Sequence, residues 1–226
     1  KEAGRWLFGE NDAENGKVQI IKNAINAEKY SYNSELRKKV REDHKIQDKF
    51  IVGHVGNFNE AKNHEFLIDV FYEIQKENDN AVLWLIGNGK FRQNIEEKVE
   101  NLDIKNKVIF EGERENVNEF MQGFDILIFP SVYEAFPIVL IEAQCAGLKC
   151  YVSKEAIPQE IDITGNLDFV SLEKDALFWR NIIIEDIKKK MNRNDGYLCI
   201  KNAGFDIRDA AKDLERRYLK CTIYER

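Results

Sequence analysis

The sequence predicts an α/β fold, a doubly wound parallel sheet with helices on both faces. Three observations carry this. Short runs such as 51–55, 81–86 and 126–129 are apolar at nearly every position and end at Gly, Pro or Asn. That is how strands covered on both faces read. Between them, apolar residues recur at three- and four-residue spacing, as in Phe66, Leu67, Val70, Phe71 and Ile74, which marks helices with one buried stripe. Strands alternating with helices assemble as a parallel, Rossmann-like sheet. The 226 residues are 43% hydrophobic with three Pro, enough for a full core.

In chain order, Ala3, Trp6, Leu7 and Phe8 read as a helix end, followed by a polar breaker run from Gly9 to Gly16. Val18 to Ile21 reads as a short strand, followed by Asn23-Ala24, where Ala24 disfavours a left-handed turn. Ser34 to Asp43 is a charged helix. Phe50 to Gly56 is the first core strand, the loop Asn57 to Asn63 follows, and then comes the helix of Phe66 to Ile74. Ala81 to Ile86 is a strand ending in Gly87-Asn88-Gly89, and Phe91, Ile95, Val99 and Leu102 lie on one helix. Lys107 to Phe110 is a strand, Val117 to Met121 a short helix, and Ile126 to Phe129 the fourth core strand. Pro137 fits the first helical position, where a missing N–H costs nothing, and Ile138 onward is the helix. Strands at Lys149 to Val152 and Phe169 to Ser171 come next, then helices at Trp179 to Met191 and Ile207 to Tyr218.

A net charge of −6 argues against a nucleic-acid surface, which needs a basic face. No run approaches the roughly 18 apolar residues of a membrane helix, and no signal-peptide pattern is present. Cys145, Cys150, Cys199 and Cys221 lack C-x-x-C spacing and read as reduced cytosolic thiols. No His or carboxylate pair accompanies Cys145 and Cys150 as a metal site. Lys188-Lys189-Lys190 reads as the solvated face of a helix.

The stretch from Pro130 to Ala143 organises the rest. A strand feeding a helix through a tight loop presents free N–H groups and a positive dipole end to an anion. Glu134 precedes the helix and Glu142 lies inside it, roughly 7–8 Å past Pro137 at 1.5 Å per residue. A phosphate at the helix tip, flanked by carboxylates that accept hydroxyls, points to a nucleotide sugar. Burying Glu142 among Val139, Leu140 and Ile141 is costly without a partner.

Glu134-x7-Glu142, EAFPIVLIE, resembles the E-x7-E signature of retaining GT-B glycosyltransferases, most similarly the family 4 enzymes of capsule and exopolysaccharide synthesis. VGNFNEAKNHEFLI, LIGNGKF, VIFEGERENV, DILIFPSVYEAFPIVLIEAQCAG and GFDI occur in the order that family shows. The resemblance implies the donor-binding C-terminal domain of such an enzyme, acting on a UDP-linked sugar without a metal or other cofactor. It divides the chain into residues 1–16 as the tail of an N-terminal acceptor domain, 17–26 as a linker and 27–226 as the nucleotide-sugar domain. The implied partners are that acceptor domain and a lipid-linked glycan, and the implied place is the cytoplasm, at the inner face of the plasma membrane through the other domain.

By the same resemblance Glu134 and Lys62 are the catalytic pair. Glu134 accepts hydroxyls of the donor sugar, and Lys62 neutralises the departing diphosphate. Asn57 stands where the family carries a second basic residue, an Arg. Glu142 takes the ribose hydroxyls, and the N–H groups of Phe136, Ile138 and Val139, with Ala135 and Pro137, cradle the diphosphate. Gly56, Gly87, Gly89 and Gly112 admit the nucleotide closely, with Arg114 and Val117 beside the base. His54 and His64 flank the Lys62 loop with no assigned role. Two alternatives remain. One is an NAD-dependent oxidoreductase using Gly87-x-Gly89 with Glu111 or Glu113, although Arg92 occupies the third glycine position. The other is a non-catalytic nucleotide-sugar-binding module.

Overall fold

The computed structural model describes residues 2–15, 18–188, 193 and 196–223. Two short helices, α1 (Glu2–Phe8) and α2 (Glu10–Glu14), come first, then α3 (Ala27–Tyr30) and α4 (Ser34–Asp43). The polar run after Gly9 is therefore partly helical. Gly9 at φ 81° makes the break, and the acidic first turn that follows suits a helix start. Val18 to Ile21 joins no strand, and Ile20 and Ile21 are 55% and 59% exposed. Two apolar residues without a sheet edge to pair with do not make a strand. Sheet-like pairing begins at Ile25, bridged in parallel to Asp206.

The remaining elements alternate as expected: β1 (Phe50–Val55), α5 (His64–Glu77), β2 (Ala81–Ile86), α6 (Arg92–Asn101), β3 (Val108–Gly112), α7 (Val117–Gly123), β4 (Ile126–Phe129), α8 (Ile138–Cys145), β5 (Lys149–Ser153), β6 (Leu167–Val170), α9 (Ala176–Lys188), α10 (Tyr197–Asn202) and α11 (Ile207–Ile223). Lys105–Lys107 forms a 3-10 turn, so β3 starts one residue later than expected and runs to Gly112. The last strand is Leu167–Val170, with Ser171 outside it. Met191 and the second and third lysines of the 188–190 run lie outside the described residues, as does the Lys188 side chain. Cys145, Cys150 and Cys199 form no disulfide, and the Cys221 side chain is outside the described set.

All strand pairings are parallel, in the order β3-β2-β1-β4-β5-β6. Alternating residues feed a core on each face. Val82, Trp84, Ile86, Leu127 and Phe129 pack beneath α7 and α8. Leu83, Leu85, Ile126 and Ile128 pack beneath α5, α6 and α9. The charged helix α4 is tied down by ions instead. Arg37 and Arg41 pair with Asp125, the latter at 3.1 Å, and Asp125 also accepts the Ile51 N–H at 2.6 Å. This knot fixes where β4 enters beside β1.

Candidate functional site

The strand order reverses between β1 and β4. In open α/β sheets ligands bind at that point, beyond the carboxyl ends of the strands. The loops after Val55, Ile86, Gly112 and Phe129 all open there. The β1–α5 and β4–α8 loops are pinned across it. The Asn63 Nδ2 group donates to the Pro130 carbonyl at 3.2 Å, and Val132 N–H donates to the Ala61 carbonyl at 2.8 Å.

Between those two anchors the Lys62 Nζ group donates to Glu134 Oε1 at 2.6 Å, with side chains 16% and 9% exposed. The ammonium also lies 4.6 Å from the centre of the Phe129 ring, a favourable place for a cation. The two residues expected to be catalytic are thus in contact. The Lys62 backbone is set by Asn59, whose side chain accepts the Lys62 N–H at 3.1 Å. The loop is nailed down by Phe58, 1% exposed and stacked on His64 at 4.0 Å.

Gly56, Asn57, Gly87, Arg114 and Val117 line one groove of about 520 Å³, with Glu113 and Glu115 at its side. That is the volume range of small-ligand sites. Gly87 (φ 132°) lines it, but not for the reason expected, and Gly89 (φ 154°) lies outside the lining. A Cβ at Gly87 would fall 2.1 Å from the Gly56 carbonyl oxygen, and one at Gly89 2.6 Å from that of Phe58. The glycines let neighbouring loops touch, which builds the groove floor. Gly112 (φ 80°) is outside the lining and ties β3 to the Gly87 loop, its carbonyl accepting from Gly87 N–H at 2.8 Å. Arg114 reaches the groove while bonded twice to Glu111, at 2.6 and 2.8 Å. Glu111 also accepts from Trp84 Nε1 at 3.0 Å. This occupies one acid on which a dinucleotide reading would depend.

Glu134 and Glu142 stand on the other side of the crevice, outside the groove lining. Pro137 (φ −82°, ψ 73°) is the N-cap, one position earlier than expected. Its dihedrals form an inverse γ-turn, in which Ile138 N–H donates to the Phe136 carbonyl at 3.0 Å. The Ile138 amide is therefore already used, a correction to the expected cradle. Leu140 N–H donates to the Pro137 carbonyl at 2.9 Å, while the Phe136 and Val139 amides take no backbone acceptor among the described residues. Ala135 is exposed at the bend, and the Phe136 ring stacks on Phe205 at 6.2 Å.

Glu142 is partly buried on α8 and has the partner its burial demands, the Tyr30 hydroxyl of α3. Burial raises its carboxyl above the usual range, and the Tyr30 hydrogen bond opposes that. Tyr30 was not legible as a site residue, since a lone Tyr on a four-residue helix carries no spacing signal. His54 and His64 are neutral in the fold. Burial lowers them to about 4 and about 2. His54 Nδ1 sits 2.9 Å from the Ile128 carbonyl, so that nitrogen carries the proton.

A second cavity, of about 580 Å³, lies at the opposite, amino end of the sheet, beside Arg37, Asp125, Lys149 and Arg193. Its charges are spent on the fold. Lys149 pairs with Asp168 at 2.7 Å. The Arg193 guanidinium, lowered to about 9 by burial, donates to the carbonyls of Ala146, Gln122, Phe124 and Met121. Among the described residues no group of three or more His, Cys, Asp or Glu side chains could hold a metal, and no helix is long and apolar enough to cross a membrane.

Residues 37–191 match the family described as glycosyl transferases group 1. The chain belongs to that family. Among relatives of this group 1 domain, Bacillus subtilis (strain 168) EpsF is 33% identical over 185 residues, 81% of this chain and 48% of that protein. The Escherichia coli UDP-Gal:alpha-D-GlcNAc-diphosphoundecaprenol alpha-1,3-galactosyltransferase is 24% identical over 78% of this chain and 44% of its own length. The chain thus spans about half the length of the curated relatives it matches. Its fold is the Rossmann-like half of a GT-B glycosyltransferase. The Anabaena Alr3699/HepE structure in complex with UDP superposes with a TM-score of 0.76, covering 89% of this chain and 57% of that one at 19% identity.

Proposed function

We propose that this group 1 domain is the donor-binding half of a retaining hexosyltransferase. It takes a UDP-linked sugar and serves transfer to a growing lipid-linked glycan of the capsule or exopolysaccharide type. One observation carries this: Lys62 and Glu134 meet at 2.6 Å at the strand-order reversal, beside the tip of the helix that holds Glu142. In the loaded site the diphosphate replaces Glu134 as the partner of Lys62, and the helix end and the Phe136 and Val139 amides add positive potential. Charge placed where the leaving group develops its own is the strongest lever such a site has. Glu134, released, accepts sugar hydroxyls. Glu142 takes the ribose, and the groove at Gly56, Gly87, Arg114 and Val117 takes the base. Retention follows from attack on the face the phosphate leaves. The E. coli relative, named for a UDP-sugar, a diphosphoundecaprenol acceptor and an alpha linkage, supports the substrate class. The acceptor belongs to an N-terminal domain at the cytoplasmic membrane face, so the chain by itself binds donor without turning it over.

Calorimetric titration with UDP, GDP, ADP, their sugars and NAD tests this. UDP and UDP-sugars bind, and Lys62→Ala weakens both at least tenfold. Binding of NAD in their place, or equal binding by Lys62→Ala, would overturn the reading, and transfer by the isolated chain would overturn the division of labour.

A further inference from the structure

Strand β3 carries one residue more than β2 has places for. Phe110 pairs with Leu85 and Gly112 with Ile86, so Glu111 between them is a bulge. A bulge re-aims the side chain it carries, and bulges gather beside binding sites. The Glu111 side chain is 8% exposed. Its Oε2 accepts the Nε1 proton of the fully buried Trp84 at 3.0 Å. Its Oε1 accepts from Arg114 twice, from Nε at 2.8 Å and from Nη2 at 2.6 Å. The Arg114 guanidinium also lies 5.9 Å from the centre of the Phe120 ring, and that ring meets Trp84 edge-on at 5.4 Å. An exposed arginine is thus held by a carboxylate that is itself anchored in the core. A guanidinium has five N–H donors and no acceptor. Glu111 takes two of them, so three remain on the edge turned away from it, and Arg114 lines the groove.

This corner of the groove does not suit a phosphate. Glu111 neutralises Arg114, and Glu113 and Glu115 line the same groove, so a diphosphate meets like charge there. The topology says what does arrive. β3 is the edge strand, two strands from β1 and the Lys62 loop that follows it, about 10 Å away at strand spacing. A nucleotide with its diphosphate at Lys62 brings to the β3 loop the edge of the base farthest from the ribose. On uracil that edge carries the O4 carbonyl oxygen, an acceptor, and on cytosine an amino group, a donor.

We propose that Glu111 is a positioning residue that presents the spare Arg114 donors to the far edge of the base, and that the pair thereby selects uracil over cytosine in the donor nucleotide. This rests on the nucleotide-sugar reading and deepens it. A loose arginine could swing aside from an amino group. One held by two bonds cannot, and a donor facing a donor leaves both without a partner, the kind of mismatch on which sites discriminate strongly.

The test is calorimetric titration of UDP and CDP against the wild type, Glu111→Gln, Arg114→Ala, their double variant and Lys62→Ala. The two nucleotides differ only at the edge of the base, so the ratio of their dissociation constants reads that edge alone. Expected is at least a tenfold preference of the wild type for UDP, the worth of a hydrogen bond to a charged group. Glu111→Gln keeps an acceptor for Trp84 but loses the charge and the second oxygen. In it, and in Arg114→Ala, the preference falls to about threefold or less. The double variant falls no further, because Glu111 acts through Arg114. A merely structural role would weaken both nucleotides alike and leave the ratio in place, and melting temperatures check the fold. Lys62→Ala weakens both nucleotides at least tenfold with the ratio kept, which separates the base from the diphosphate. UDP binding with no preference over CDP, or an unchanged preference in Glu111→Gln or Arg114→Ala, overturns this inference and leaves the donor reading standing. If the wild type binds neither nucleotide, the donor reading fails and base selection falls with it.

Discussion

Replacing Glu134 with Gln separates the two jobs assigned to it. In the free site the carboxylate holds Lys62 at 2.6 Å, with only 16% and 9% of the two side chains exposed. Exposed pairs are worth 0–1 kcal/mol, and a pair of unit charges 4 Å apart near a protein surface has about 4 kcal/mol of Coulomb energy before desolvation. A partly buried pair lies between these, so Glu134 competes with a diphosphate for Lys62 by about 1 kcal/mol, roughly fivefold in affinity. Glu134→Gln removes that competitor and the acceptor of the sugar hydroxyls together. UDP, which lacks the transferred sugar, then binds about fivefold more tightly. A UDP-sugar loses whatever advantage it had over UDP. Transfer, measured in the longer protein that carries this domain, falls 100-fold or more if Glu134 acts in the transition state. Isothermal titration with the two ligands, on protein whose melting temperature has been checked, gives the comparison. Equal weakening of UDP and UDP-sugar would refute the reasoning, because it would place Glu134 on the nucleotide side or make it merely structural.

Gly87→Ala forces a Cβ to within 2.1 Å of the Gly56 carbonyl at a φ of 132°. Backbone strain of this kind costs about 1–3 kcal/mol, and UDP titration will show a larger loss of affinity than chemical denaturation shows of stability. Asp125→Ala leaves Arg41, 7% exposed, without its carboxylate. Breaking one side of such a pair costs about 3–5 kcal/mol, read as a lowered urea midpoint. His54 and His64 are depressed in the fold to about 4 and about 2, below the unfolded value near 6.5. The unfolded chain therefore binds protons that the folded chain does not. The stabilising contribution is complete above about pH 6.5 and falls by roughly 1.4 kcal/mol per unit per group as pH drops toward 4. Urea unfolding from pH 7 to 4.5 will show this slope, shallower in His64→Leu.

The sheet and its helices were legible because burial on both faces leaves continuous apolar runs, as in Ala81–Ile86. The helix after Pro137 was legible from its missing N–H. What escaped is held by pairs distant in sequence. Lys62 and Glu134 are 72 residues apart, and Arg41 and Asp125 are 84 apart. Periodicity reports only the neighbours of a residue on its own element, so nothing in it could tie Tyr30 to Glu142. The Val18–Ile21 expectation failed for the converse reason. Local propensity was read without a sheet edge to receive it. At Gly87 and Gly89 the need for glycine was visible, but its cause, contact with the adjacent loop, lies in the tertiary fold.

The central claim is that the nucleotide binds where the strand order reverses. Backbone amide NMR during a UDP titration tests it most directly. The account predicts saturable shifts at Gly56, Gly87, Arg114, Val117, Phe136 and Val139, on both sides of the crevice. Shifts confined to Arg37, Asp125, Lys149 and the cavity at the amino end of the sheet would contradict it.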